Sequence, residues 1–454
     1  MKNGATTDPP PAPSTWLLWQ RALPFATLFG VVYFVQGFAE PTAGLVSQPF
    51  VDSFSSAGFA ATEIGAWLGI VGLPWSIKPL AGLMIDFIPL GRLGRSGWLL
   101  LGNLLSIVGY GCAALTLLLA GGEGLVAALL LASSGVAIAD VATDALAISR
   151  GQPLGITGQL QSVQWGALSL AGILAGELGG YLAASNRLGL GMVVCALLGL
   201  LVIAVQLILR VVHPAVIVEH APPVISSEEP PAARASTLGE AYRQLILAAQ
   251  SRLVITTGLF LFLWSFNPFS TAVLQSYATD ILGLDEQFYG RLISVQCLAM
   301  FVTACVYGII CRMVAMRVLV HLSIAAGIAC TLAYWGFSGA TSGVIVTLFV
   351  GAAYMLGTLI QLDLAARVVP IRSAGTVFAL LMAISNSGLS ASLTVGGFLY
   401  DQLFLWTESR HAAFHLLVGI GGLSTSLCWL VVPFLPPLDD RPISPAKAAD
   451  VTET

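Results

Sequence analysis

The sequence predicts an all-α integral membrane protein of twelve transmembrane helices, built as two six-helix halves in pseudo-twofold repeat. Three observations carry the prediction: a very apolar composition, twelve long apolar segments, and a charge asymmetry between alternate connections. Of the 454 residues, 57% are hydrophobic and 9% charged, with a mean hydropathy of +0.88. Soluble domains carry about 25% charged residues, which keep their surfaces compatible with water. A chain this long with so few ionisable side chains has the bilayer as its solvent and partner. The formal charge of −4 and the lack of a basic run speak against nucleic acid. Seven cysteines are scattered through apolar segments with no CxxC pair, and read as small buried hydrophobes.

A spanning helix needs about 20 mostly apolar residues. Twelve such segments are expected near 23–46, 63–88, 97–119, 124–148, 157–183, 188–210, 252–279, 288–310, 316–338, 343–369, 374–400 and 412–435. The one long polar interruption, 213–250, is acidic and Pro-rich from Ser226 to Pro231 and reads as a linker with a short surface helix near Leu238 to Gln250. The expected organisation is a tail over 1–22, a six-helix bundle over 23–212, the linker 213–250, a second bundle over 251–436 and a tail over 437–454. The polar, Pro-rich start from Met1 to Ser14 lacks the order of a cleaved signal peptide, so the first apolar segment is expected to act as an anchor.

Lys and Arg concentrate on the cytoplasmic side of multi-pass proteins. With the N-terminus inside, fifteen of the nineteen Lys and Arg fall in inner segments. Arg187, Arg291 and Arg410 fall outside, and Lys78 lies within a span. Both termini, the linker and the tails are therefore expected in the cytoplasm of a cell with this protein in its plasma (inner) membrane.

The two halves repeat one another. Pro41 and Pro268 interrupt the first helix of each half, in FAEP and SFNP, and Gly65 and Gly290 open the second. Gly158 matches Gly375, and GGYL at Gly179 matches GGFL at Gly396, at a constant offset. Parallel six-helix repeats are the architecture of the major facilitator superfamily, in which the substrate site lies between the halves near the midplane. Small residues along helix five (Gly172, Gly176, Gly179, Gly180) and helix two (Gly65, Gly69, Gly72) would let backbones approach closely.

Ionisable side chains cost about 2.5–3.5 kcal/mol each inside a span, so each needs a purpose. Asp140 and Asp144, spaced i, i+4, project from one face of helix four about 6 Å apart along the axis. Like charges this close disfavour joint ionisation, which suits a proton-carrying carboxylate. The alternative is a gate that pairs them with arginines. Asp363 and Arg367 repeat the spacing on helix ten with opposite charge, as an internal pair, an anion clamp or an inner gate. Glu40, beside Pro41 and one turn from Gln36, is a candidate for proton or substrate binding, with Asn267 in the matching place on helix seven. Glu177, among glycines of helix five, is a further proton candidate. Lys78, in PWSIKP of helix two, needs a carboxylate partner. Gln161, Gln164 and Trp165 share a face of helix five that would suit a flat heterocycle, and Asn386 on helix eleven is similar. His411 and His415 also stand i, i+4, at the outer end of helix twelve, where spacing alone makes no case for a metal.

No nucleotide loop, metal-ligand set or nucleophile constellation stands out. The expectation is a transporter and not an enzyme, driven by an ion gradient of protons without cofactor or metal.

GLMIDFIPLGRLGR, from Gly82 to Arg95, resembles the helix 2–3 loop motif of the major facilitator superfamily. YFVQG at Tyr33, LPWSIKPLAGLMIDFIPL from Leu73 to Leu90, GVAIADVATDALAISR from Gly135 to Arg150, FLFLWSFNPF at Phe260, LGLDEQFYGRL at Leu282 and GTVFALLMAISNSG from Gly375 to Gly388 resemble the folate–biopterin transporter family. The resemblance spans Tyr33 to about Asp401 and implies proton-linked movement of a small organic solute, a pteridine or folate, by a monomer. By motif position it points to Lys78, Asp86, Asp140 and Asp144, with Asp86, Arg92 and Arg95 joining Asp363 and Arg367 as gating candidates. RLGRSG stands where the family has a denser basic stretch. Two alternatives remain open: a muropeptide- or acetyl-CoA-type permease, whose larger anionic cargo calls for more cavity cations, and a non-transporting assembly or sensor protein on the same scaffold.

Overall fold

The computed structural model describes residues 15–59, 61–88, 90–119, 124–217, 246, 250–269, 273–274, 277–284 and 286–435. The expected tails up to residue 14 and from residue 436, with most of the expected linker, lie outside the described residues.

The first six spans are α1 (Thr15–Ala39), the pair α3 (Ala61–Ser76) and α4 (Lys78–Phe87), α5 (Arg95–Leu119), α6 (Leu125–Leu154), α7 (Thr157–Ala184) and α8 (Leu188–Val212), with a short α2 (Ser47–Ser56) after α1. The second six begin with α9 (Arg252–Ser265), followed by α10 (Glu286–Met313), α11 (Met316–Leu332), α12 (Ala340–Val368), α13 (Ala374–Thr407) and α14 (Arg410–Ser426). Among the described residues, eleven stretches are long and apolar enough to cross a bilayer. The shorter α9 completes the expected twelve. Leu118, Val211 and Met313 are 77%, 82% and 79% exposed, a surface suited to lipid and not to water.

Prolines set where spans break. The expected first span, 23–46, ends as a helix at Ala39, and the expected seventh, 252–279, ends at Ser265. Pro41 and Pro268 lack the N–H that would continue each ladder and bias the residues before them, Glu40 and Asn267, away from helical backbone. Glu40 therefore stands at a helix end and not in mid-helix. Beyond α9 the chain returns to a helical turn at Tyr277–Ile281, of the wide π type. The second span is likewise split at Ile77 (φ −100°, ψ 12°), so that Lys78 opens α4 with Pro79 in its first turn.

The tightest helix contact lies elsewhere than the stripes read from helices two and five. On α5 and α6, a Cβ added to Gly109 or Gly135 would collide with the backbone nitrogen of Ala132 or Ser106. Such contact is how small residues stabilise helix pairs where lipid removes the hydrophobic drive. An added Cβ at Gly69 or Gly176 meets nothing within 4 Å.

Successive spans reverse direction. The α4–α5, α6–α7, α10–α11 and α12–α13 connections therefore share one face of the bundle with the linker, the linker side. The connections of the opposite face mark the far side.

Candidate functional site

Two sets of polar side chains are buried between the spans. The inner set centres on α6. Lys78, set at the start of α4 by the break at Ile77, places Nζ 2.7 Å from Asp140 Oδ2. The Lys78 and Asp140 side chains are 12% and 5% exposed, so this is an ion pair largely out of water. Lys78 Nζ also lies 3.8 Å from the Trp75 ring centroid, a cation–π contact. Gln36 Nε2 on α1 donates to Asp140 Oδ1 at 2.9 Å. One turn along α6, Asp144 Oδ1 accepts from Tyr33 Oη at 2.6 Å and from Gln164 Nε2 at 3.3 Å. Of the two buried carboxylates Asp140 thus pairs with a cation, and among the described residues Asp144 is held by neutral donors alone.

Several polar atoms at this centre carry no partner. Gln36 Oε1, Gln164 Oε1, Trp75 Nε1 and Glu40 Oε2 are buried without a hydrogen bond. Buried polar atoms are normally paired, so these are positions for water or a ligand. A cavity of about 20 Å³, room for one water, opens beside Gln36 between Asn103, Ser106 and Ala139.

Glu40 works on its own turn: its Oε1 accepts from Thr42 Oγ1 at 2.6 Å and from Thr42 N at 3.4 Å. Asn267 does the same before Pro268, accepting from Phe269 N at 3.0 Å, while its Nδ2 donates to Thr331 Oγ1 at 2.6 Å. The two residues before the prolines are therefore matched caps of matched breaks. Tyr110 Oη takes up the Ala39 carbonyl at 2.6 Å, one of those freed by the first break.

The second set joins the first six spans to the second six at the linker side. The Asp86 side chain is fully buried and accepts from Gly375 N (3.1 Å), Thr376 N (2.7 Å) and Thr376 Oγ1 (2.8 Å). These are unpaired donors at the N-terminus of α13, where the helix dipole favours an anion. Arg95 Nη2 bonds Asp86 Oδ1 and the Ile371 carbonyl, each at 2.9 Å. On the other flank Asp363 accepts from Thr157 Oγ1 at 2.6 Å, pairs with Arg367 at 2.8 Å and receives Tyr307 Oη at 3.4 Å. Gln152 donates to the carbonyls of Ala366 and Val369, and Ser162 to that of Ala304. A Cβ on Gly82 would stand 2.5 Å from the Gly375 carbonyl oxygen, so α4 and α13 touch backbone to backbone. Toward the far side, an added Cβ on Gly176 of α7 or Gly397 of α13 meets nothing within 4 Å. The spans are closed together at the linker side, and space is open beside these two far-side glycines.

A family model described as the BT1 family matches residues 36–450. The chain belongs to the BT1 family. A relative by sequence, the folate-biopterin transporter of Synechocystis sp., is 29% identical over 425 residues, or 89% of this chain and 79% of that one. Among solved structures, the major facilitator superfamily transporter FucP in the outward conformation is 14% identical with a TM-score of 0.65, over 90% of this chain and 98% of that one. The proton:xylose symporter XylE, bound to 6-bromo-6-deoxy-D-glucose, is 14% identical with a TM-score of 0.60, over 93% and 98%. The expected fold is therefore observed: this BT1-family chain is a multi-pass membrane transporter of the major facilitator fold, and not an enzyme.

In this BT1-family transporter the structure brings Gln36, Lys78, Asp140, Asp144 and Gln164 into one network, and Asp86 with Arg95 and Asp363 with Arg367 into two ion pairs at the linker side. It leaves Glu177 apart, exposed on the α7 face of Leu174 and Tyr181 and not deep among neighbours. Trp165 is half-buried on the same helix, Asn386 is exposed on α13, and the side chain of Arg92 lies outside the described residues. Sequence reasoning missed Tyr33, Thr157, Gln152 and Thr376. Tyr33 stands three residues before Gln36 and so on its face, a signal that a search for donors to Asp140 and Asp144 could have used. The others are polar residues at helix ends whose partners belong to distant segments.

Proposed function

We propose that this transporter carries a folate- or pteridine-like organic solute by alternating access, driven by a proton gradient, with the Asp140–Asp144 centre as the coupling site. It works as a monomer in the plasma (inner) membrane, with its linker side and both termini in the cytoplasm. The observation that carries the proposal is the pair of buried carboxylates on α6, of which Asp140 pairs with Lys78 while Asp144, among the described residues, is held by neutral donors alone. An uncompensated buried charge is costly, and one bound proton removes it. Protonation of the centre then loosens the hold of Asp140 on Lys78 and changes how α4 meets α6.

The closed linker side and the open space beside Gly176 and Gly397 are in keeping, with this orientation, with a state open to the outside. The Asp86 and Asp363 latches are the contacts that must part for the solute to leave inward. The cargo is suggested by the relative's name and supported by the unpaired acceptors of Gln36, Gln164 and Glu40 and the indole of Trp75. A flat heterocycle with ring N–H and amine donors would satisfy the acceptors and stack on an aromatic plane. Lys78, committed to Asp140, leaves little for a large polyanionic cargo of the muropeptide or acetyl-CoA type.

The test is uptake of labelled folate and of a small pterin into sealed proteoliposomes, with and without an inward proton gradient. Gradient-dependent accumulation of either supports the reading. No accumulation in vesicles of verified orientation overturns the cargo.

A further inference from the structure

Outside the transport site, the far-side end of α14 holds a histidine pair whose geometry goes beyond its spacing. His411 Nε2 and His415 Nε2 face each other at 3.1 Å. Two imidazole nitrogens on a tetrahedral zinc, at about 2.0–2.1 Å each, stand about 3.3 Å apart. The two nitrogens share a hydrogen bond and stand close enough for one ion to take the place of its proton. The second ring nitrogen of His411 is also engaged: Nδ1 lies 2.7 Å from Tyr277 Oη. When Tyr277 accepts from Nδ1–H, the tautomer is fixed with the lone pair on Nε2. That is the outer-shell arrangement by which proteins orient a ligating histidine. Tyr277 is itself held in place by stacking on Phe414 with ring centroids 3.6 Å apart. His411 is exposed, and the neighbouring cation Arg410 is turned onto the Phe404 ring at 4.8 Å.

We propose that His411 and His415 form a divalent metal site for borderline ions of the Zn²⁺, Ni²⁺ and Cu²⁺ class, with Tyr277 as its positioning residue and water in the remaining positions. Imidazole ligands select this class over Mg²⁺ and Ca²⁺, which take oxygen. The site bridges α14 to the turn at Tyr277–Ile281 that follows the broken α9, so an ion there stiffens the far-side end of the second six spans. The proposal is independent of the transported solute.

Calorimetric titration of Zn²⁺ into the tag-free full-length protein in detergent at pH 7.5 tests it. The wild type is expected to show one saturable site, insensitive to millimolar Mg²⁺. H411A and H415A each remove it. Y277F keeps the stack on Phe414 and weakens binding about 10–100-fold, the usual effect of losing an outer-shell partner. H321A on α11 leaves it unchanged, and thermal unfolding of every variant without metal separates loss of ligand from loss of fold. A saturable zinc site that survives in the H411A/H415A double variant, or the lack of one in the wild type, overturns the proposal.

Discussion

Asp86 accepts the backbone N–H of Thr376 at 2.7 Å, although the two residues stand 290 positions apart and belong to different sets of six spans. A carboxylate at the end of α4 thereby caps the start of α13. A helix N-terminus presents donors that nothing inside the helix can satisfy, and an anion there gains from both hydrogen bonds and dipole. Because the cap comes from the other set of spans, opening the linker side means uncapping α13.

Replacing Asp86 with Asn is expected to weaken this closure. Hydrogen bonds to a charged group contribute about 1.5–3 kcal/mol each, and about 1.4 kcal/mol is tenfold in an equilibrium. In a background with the seven native cysteines replaced, maleimide labelling of S162C, buried beside α10 at the linker side, should rise about tenfold or more on adding D86N. Unchanged labelling would mean that the contact does not hold the linker side shut.

Gly82 tests the same interface through sterics. A side chain there collides with the Gly375 carbonyl oxygen, which is backbone and cannot swing away. G82V is expected to insert into the membrane and to lose transport, with interspin distances between α4 and α13 at the linker side longer than in the wild type. Normal transport by G82V would show that the two backbones separate freely.

The Lys78–Asp140 pair should behave as a buried pair whose partners are costly alone. Removing one partner from such a pair costs about 3–5 kcal/mol, whereas removing both is far milder. K78A is expected to lower the detergent melting temperature strongly, and the K78A/D140A double variant to recover much of the loss. Additive effects of the two single variants would mean that Lys78 finds its charge partner elsewhere.

Y33F removes the 2.6 Å donor to Asp144 while keeping the ring in the core. Uptake is expected to fall about tenfold or more, with the fold intact by size-exclusion and melting profiles. Wild-type uptake by Y33F would assign the Tyr33 hydroxyl a packing role without consequence for transport.

The sequence carried the number and type of helices because lipid leaves so few ways to satisfy a backbone, and about 20 apolar residues must be spent on each span. Asp363–Arg367 was legible for a related reason: both residues lie on one helix, where spacing determines contact. Lys78–Asp140 was legible as two needs, a buried cation and buried carboxylates, but not as a pair, since spacing along one helix says nothing of which helix lies opposite. Pro41 and Pro268 showed where α1 and the α9 span are disturbed. They did not show that the helices stop there, with Glu40 and Asn267 turned back as caps, because that depends on local turns the spacing does not encode. Glu177 was misplaced for want of the rotation of α7, whose glycines suggested a crowded face where the structure has an exposed one.

The most direct test of the proposed coupling site compares two modes of transport in the same proteoliposomes. Solute exchange between equal pH needs a working cavity and rocking, whereas accumulation against a solute gradient needs the proton as well. The account predicts that D144N and D140N, at least one of them retaining exchange, lose accumulation under an inward proton gradient. Accumulation in both variants with the wild-type dependence on pH would contradict it and move proton coupling away from the Asp140–Asp144 centre.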